Sequence, residues 1–214
     1  MATDIFKFWD LPVKAGPHPA DREVLKRVEH NFDLKCLPGC FAGPLKTAHV
    51  VLLYLSPGQS DQDYIDAKTR RGRDRHRRVR LGHEPLVGPE DHERAWKWWS
   101  SRTKSFGYWQ DLRTKVAVLN IGAYHSKIFA DAPLLAALPS SRVSIDWAQS
   151  VLFPEAIAGR RVVICLRSAQ FWGLQKGKRY GKALFAPNTT RSGSMLKNEM
   201  REQVIRKVRS VLAR

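Results

Sequence analysis

Cysteine is scarce in this chain, acidic residues are outnumbered, and no long apolar run occurs. The three cysteines, Cys36, Cys40 and Cys165, form an odd and sparse set, which argues against a disulfide framework and for a reducing, cytoplasmic setting. Three thiolates are too few for an iron–sulfur cluster held by four. No neighbouring Cys or His pair completes a zinc site around Cys36 and Cys40, so structural thiols are expected, with no metal and no cofactor. No stretch approaches the roughly 18 apolar residues of a membrane span. Residues 1–19 carry Asp4, Lys7 and Asp10 and lack the apolar core of a signal peptide. Internal repeats and a phosphate-cradling P-loop are absent as well.

Positive charge is abundant. Against 20 Asp and Glu stand 37 Lys and Arg among 214 residues, for a formal net charge of +17. Such a field attracts polyanions and speeds encounter with them, without specifying a fold. DNA is the expected partner, ahead of an anionic membrane surface or an acidic protein. A hydrophobic share of 43% is enough for a core, and the length suits a single domain spanning 1–214.

Apolar runs of strand length occur at residues 48–55, 116–121 and 161–166, with a shorter one at 183–186. Their hydrophobicity is continuous rather than alternating, which marks strands covered on both faces, as in a parallel sheet. Helical spacing of Val24, Leu25, Val28 and Phe32 predicts an amphipathic helix over 21–34. Helices are also predicted over 144–152, over 196–212, and through the first half of the Trp96 to Trp109 region, where aromatic and basic residues interleave. Residues 68–80 hold eight Lys or Arg in thirteen positions, with Val79 the one apolar anchor. They are expected to form an exposed basic loop, part of an insertion at about 66–92. Strands alternating with helices predict an α/β fold: a three-layer α/β/α sandwich around a short, mostly parallel sheet.

In open parallel sheets the ligand lies beyond the carboxyl ends of the strands. After the first strand come Ser56, Pro57, Gly58, Gln59, Asp61 and Asp63. Asn120 ends the second, followed by Tyr124, His125, Ser126 and Lys127. Arg167 follows the third, and Asn188, Arg191 and Ser192 follow the fourth. In this order the stations Tyr54-Leu55-Ser56-Pro57-Gly58, Val118-Leu119-Asn120, Val162-Val163-Ile164-Cys165-Leu166 and Pro187-Asn188-Thr189-Thr190-Arg191-Ser192 resemble the uracil-DNA glycosylase superfamily, over about residues 50–194. The resemblance implies a uracil-DNA glycosylase-like fold and hydrolysis of the N-glycosidic bond of uracil or another modified pyrimidine. In that family the first loop bears an Asp or Asn that positions water, the second strand ends in an Asn that reads the pyrimidine edge, and the last loop steadies the leaving base and grips phosphate.

Two positions depart from the family's pattern. Ser56 stands where the first loop has Asp or Asn, and Asn188 replaces the usual His of the last loop. Ser56, Asp61, Asp63 and Asn188 are therefore the candidate catalytic residues. Gly58, Gln59, Asn120, Tyr124 and His125 are the candidate base-binding set, with Tyr64, Phe106 and Tyr124 as aromatic faces for stacking. Arg70, Arg71, Arg73, Arg75, Arg77, Arg78, Lys127, Arg167, Arg191 and Ser192 are the expected DNA contacts. Asp61 or Asp63 is alternatively a helix cap. Two other functions fit the same residues: a DNA-binding module that has lost the chemistry, and a nuclease holding Mg²⁺ on Asp61, Asp63 and Asp66.

Overall fold

The computed structural model describes residues 3–213. In chain order, helix α1 (Ile5–Phe8) and a 3-10 turn (Pro19–Asp21) lead into α2 (Arg22–Arg27), β1 (Phe41–Ala42) and β2 (Val50–Tyr54). Between β2 and β3 (Val116–Asn120) lie four helices: α3 (Asp61–Lys68), α4 (Arg70–Arg80), α5 (Pro89–Thr103) and α6 (Trp109–Leu112). Helices α7 (Ala132–Leu135), α8 (Pro139–Trp147) and α9 (Phe153–Ile157) precede β4 (Val162–Cys165). Strands β5 (Lys178–Tyr180) and β6 (Leu184–Ala186) and helix α10 (Glu199–Leu212) complete the described chain.

The six strands form one sheet in the order β1-β3-β2-β4-β6-β5. The four inner strands are parallel, with Leu52 opposite Val118 and Ile164, and Ile164 opposite Phe185. Short antiparallel strands close both edges. Every residue of β2, β3, β4 and β6 is buried, as their unbroken apolar runs require.

Successive side chains of a strand enter opposite layers. Val51, Leu53, Ala117, Leu119, Val163 and Cys165 pack against Trp9, Trp147, Leu152 and Trp172. Val50, Leu52, Val118, Ile164 and Phe185 pack against Leu112 and against Val204, Val208 and Val211 of α10. Truncating Leu52, Leu53, Leu119 or Ile164 to Ala costs about 2–5 kcal/mol. The fold is thus mixed α/β, with a mostly parallel sheet covered by helices on both faces.

Two local expectations are corrected. The helix predicted over 21–34 stops at Arg27, and Val28 is extended at φ −132°. Beyond it, tertiary bonds replace helical ones: the Asn31 N–H binds the Asp131 carboxylate at 3.0 Å and the Asp33 N–H binds the His125 carbonyl at 2.8 Å.

The basic run expected as a loop is instead the helix α4. Thr69 caps it by accepting the Gly72 N–H at 3.2 Å. Its anchors are polar, which a search for apolar periodicity does not find. Arg75 pairs with Asp66 of α3. The Arg80 guanidinium donates to the carbonyls of Leu11 at 3.0 Å and Pro38 at 3.2 Å and lies over the Trp9 ring. Helices α3 and α4 cross so closely at Gly72 that a β-carbon there would overlap the Asp66 backbone.

Candidate functional site

Because the inner strands are parallel, their C-terminal ends share one edge of the sheet. The ladder between β2 and β3 runs on past both strands, with the Ile121 N–H on the Tyr54 carbonyl at 3.3 Å and the Gly122 N–H on the Leu55 carbonyl at 2.8 Å. That lays Ser56 beside Gly122, where a β-carbon would meet the Ser56 β-carbon at 3.6 Å.

Ser60 then starts α3. Its backbone N–H and its hydroxyl donate to Asp63 Oδ2 at 2.6 and 2.8 Å, so Asp63 reaches back over the first turn as a helix-starting carboxylate. The other oxygen, Oδ1, lies 3.3 Å from His92 Nε2. The Ala95 N–H donates to His92 Nδ1 at 3.2 Å, so in the neutral ring the proton sits on Nε2, facing Asp63. His92 is the one residue of α5 with non-helical backbone angles, and that kink brings its ring to Asp63.

His125 closes the cluster from the β3 side. Its Nδ1 is 2.6 Å from the Gly58 carbonyl and 3.7 Å from Asp63 Oδ2. A carbonyl only accepts, so Nδ1 carries the proton and the neutral ring keeps a lone pair on Nε2. Among the described residues Nε2 makes no hydrogen bond. The backbone bridge to Asp33 fixes the loop, and Asp33 in turn accepts from Gln59 Nε2 at 2.7 Å and from the Tyr64 hydroxyl.

Burial by itself would raise the Asp63 carboxyl, but His92, His125 and Ser60 outweigh it and hold the group below the usual carboxylate range. Asp63 is thus ionised and weakly basic at neutral pH. It suits the part of counter-charge to a protonating His125 better than that of proton acceptor. Burial, then the charges of Asp63 and Asp33, push the neighbouring Cys36 thiol up to about 12, so it is an inert group rather than a nucleophile.

Asn120 ends β3 opposite Tyr54. It is 6% exposed, and its side-chain amide makes no hydrogen bond among the described residues. The amide leaves both its donor and its acceptor open to a ligand at the strand end.

At the β4 tip Arg167 precedes Ser168, the one non-glycine with left-handed angles among the described residues, at φ +56°. Such a residue costs about 1–3 kcal/mol and is concentrated at functional edges. Past β6 the chain folds into a tight turn. The Thr190 and Ser192 hydroxyls are 3.0 Å apart there, and Gly193, at φ +82°, lies against the Tyr54 ring. Arg102 of α5 donates to the Ser192 carbonyl at 3.2 Å, which draws α5 to this edge.

The remaining expected residues divide. Asp61 is exposed at the start of α3, and Lys127 and Arg191 are exposed. Tyr124 turns inward: it is 2% exposed and its hydroxyl donates to Asp21 at 2.5 Å, so it offers no face to a base. Phe106 is likewise core at 4% exposed. Asn188 is exposed, and its amide lies over Gly177 of the β5 hairpin rather than against His125. Arg70, Arg71, Arg77 and Arg78 are exposed on α4 but contact Asp74, Asp91, Asp74 and Glu84 in turn, and Arg73 donates to the Ala67 carbonyl.

Asp66 is taken by Arg75 and Gln62, and Asp63 by Ser60 and the histidines, so the three acids of α3 do not converge. Among the described residues no three His, Cys, Asp or Glu side chains gather as a metal cage, and no helix is long and apolar enough to cross a membrane.

Asp33, His92 and Arg102 were not legible as site residues. Each lies in a segment with no motif of its own and reaches the edge through a kink, a bridge or a helix end. Two open cavities lie elsewhere, about 270 Å³ beside Tyr108 and Lys115 and about 620 Å³ beside His30 and Asp131. Compared with protein-family models, curated proteins and solved structures, the chain matches none of them.

Proposed function

We propose that the chain is a DNA glycosylase-like protein that hydrolyses the N-glycosidic bond of uracil or another modified pyrimidine, its site lying on the edge where the four parallel strands end. The observation that carries this reading is the presence on that edge of both an unengaged Asn120 amide and a His125 whose Nδ1 is fixed and whose Nε2 is unengaged. An amide presents a donor and an acceptor together, which suits a pyrimidine edge. The reaction builds positive charge on the sugar and negative charge on the departing base. His125 Nε2 takes the proton of the attacking water, and the Asp63 carboxylate stabilises the imidazolium that results. Ser56, in place of a carboxylate, orients the water through its hydroxyl.

The test is abasic-site formation on oligonucleotides containing uracil or modified pyrimidines. Product is expected, with His125→Ala lowering the rate by about 10²–10⁴-fold and Asn120→Ala removing recognition. Correctly folded protein that leaves a broad panel of such substrates intact refutes the catalytic reading. A non-catalytic DNA-binding module is the second reading, favoured by the separation of Asn188 from His125; it predicts salt-dependent binding without product.

A further inference from the structure

Five features of α5 and the strand edge bear on which form of DNA the site takes. Trp98 stands on the outer face of α5, 38% exposed, while its neighbour Trp99 packs inward on Tyr54 with ring centres 5.3 Å apart. The Arg102 guanidinium lies 4.2 Å over the Trp98 ring centre. The same Arg102 bonds the Ser192 carbonyl of the turn after β6, so this flat pair is tied to the strand edge. Arg167 flanks that turn, its γ-carbon 3.4 Å from where a Gly193 β-carbon would stand. Among the described residues neither Arg102 nor Arg167 has a carboxylate within salt-bridge distance, and neither has Arg191 on the turn itself, whereas most arginines of α4 have one.

We infer that this surface is a seat for single-stranded DNA, in which an unpaired base stacks on the Trp98–Arg102 platform while Arg167 and Arg191 take the adjoining backbone phosphates. Flat aromatic and guanidinium faces bind bases only when those bases are not stacked in a duplex, and they do so with little regard to sequence. Cations without internal partners take phosphates without first breaking an ion pair. The inference builds on the reading of the strand edge as a DNA site and adds the strand state of the substrate.

The experiment is fluorescence anisotropy with a uracil-free oligonucleotide, as a single strand and as its duplex, at several salt concentrations, with the same samples assayed for abasic product on a uracil-containing strand. The single strand is expected to bind more tightly and to quench tryptophan emission. Trp98→Ala is expected to weaken single-strand binding roughly tenfold, the scale of one stacked base, and to leave duplex binding unchanged, while Trp98→Phe keeps most of the affinity. Arg167→Ala and Arg191→Ala are each expected to lower the salt slope by roughly 0.7, the single-strand increment for one phosphate. Duplex bound as tightly as single strand overturns the inference, as does a Trp98→Ala protein that melts like the parent and keeps its single-strand affinity. Trp98-dependent binding without product upholds the seat and removes the glycosylase; product with Trp98-independent binding does the reverse.

Discussion

Helix α4 and the strand-end edge are both rich in arginine, and they use it in opposite ways. On α4 the guanidiniums face acids of the same protein: Arg75 faces Asp66 and Asp91, Arg71 faces Asp91, Arg70 and Arg77 face Asp74, and Arg78 faces Glu84. At the edge, Arg102, Arg167 and Arg191 meet carbonyls, an aromatic face or solvent, and no carboxylate among the described residues. Charge density along the chain therefore does not reveal which cations have a carboxylate beside them. The densest run shares four carboxylates among its arginines and so loses part of its charge where it folds, whereas the cations at the edge keep theirs whole for an incoming polyanion.

The largest effect that would break this comparison concerns Arg75. Its side chain is 12% exposed and that of Asp66 is 14% exposed. Arg75→Ala leaves a buried carboxylate without its partner and is expected to destabilise the protein by about 3–5 kcal/mol in urea unfolding. A loss below 1 kcal/mol would mean that α4 is not held by its ion pairs.

A smaller effect follows from the close crossing of α3 and α4. Gly72→Ala is expected to cost about 1–3 kcal/mol, because the added methyl must push two helices apart. Thermal melting reads this directly, and an unchanged midpoint would place the crossing further away than described.

The next concerns pH. His76 of α4 lies 2.9 Å from the Pro38 carbonyl. Burial, reinforced by Arg80, His125 and Arg75, depresses it from 6.5 to about 3. Below pH 6.5 the unfolded chain takes a proton that the folded protein refuses. The stability associated with neutral His76 is therefore complete above 6.5 and is lost as pH falls toward 3, at up to about 1.4 kcal/mol per unit. His76→Gln should flatten that slope; an unaltered slope would assign the acid sensitivity elsewhere. Asp63, held low, adds its own loss only below the ordinary carboxylate range.

The smallest effect is on the exposed face of α4. Arg70→Ala and Arg77→Ala should change stability by less than about 0.5 kcal/mol, since exposed ion pairs contribute little. Because such pairs are weak, these arginines remain open to phosphate. Their combined replacement is nonetheless expected to lower the salt slope of DNA binding less than replacing Arg102, Arg167 and Arg191. The reverse order would restore α4 as the principal footprint.

Continuous apolar runs at residues 48–55, 116–121, 161–166 and 183–186 were enough to read four buried parallel strands, because a strand covered on both faces has no polar side to display. From the parallel direction it followed that Ser56, Asn120, Arg167 and Asn188 leave the sheet at one edge, and they do. Local pattern says nothing about which of these then turn toward one another. Tyr124 and Asn188 carry the right chemistry in the right loops, yet the first bonds Asp21 in the core and the second lies over a hairpin glycine.

What the sequence determined by itself was the layered α/β architecture and the edge on which polar groups collect, since both follow from short-range periodicity and the one direction of the strands. What only the tertiary structure decided was pairing. Asp33 and His92 reach His125 and Asp63 across 92 and 29 residues of chain, α4 is seated where Asp66 and the Leu11 and Pro38 carbonyls receive its guanidiniums, and Arg102 stays without a carboxylate among the described residues. Hydrogen bonds and ion pairs act over a few ångströms, so their partners are fixed by how the chain closes on itself, and no local run of residues encodes that.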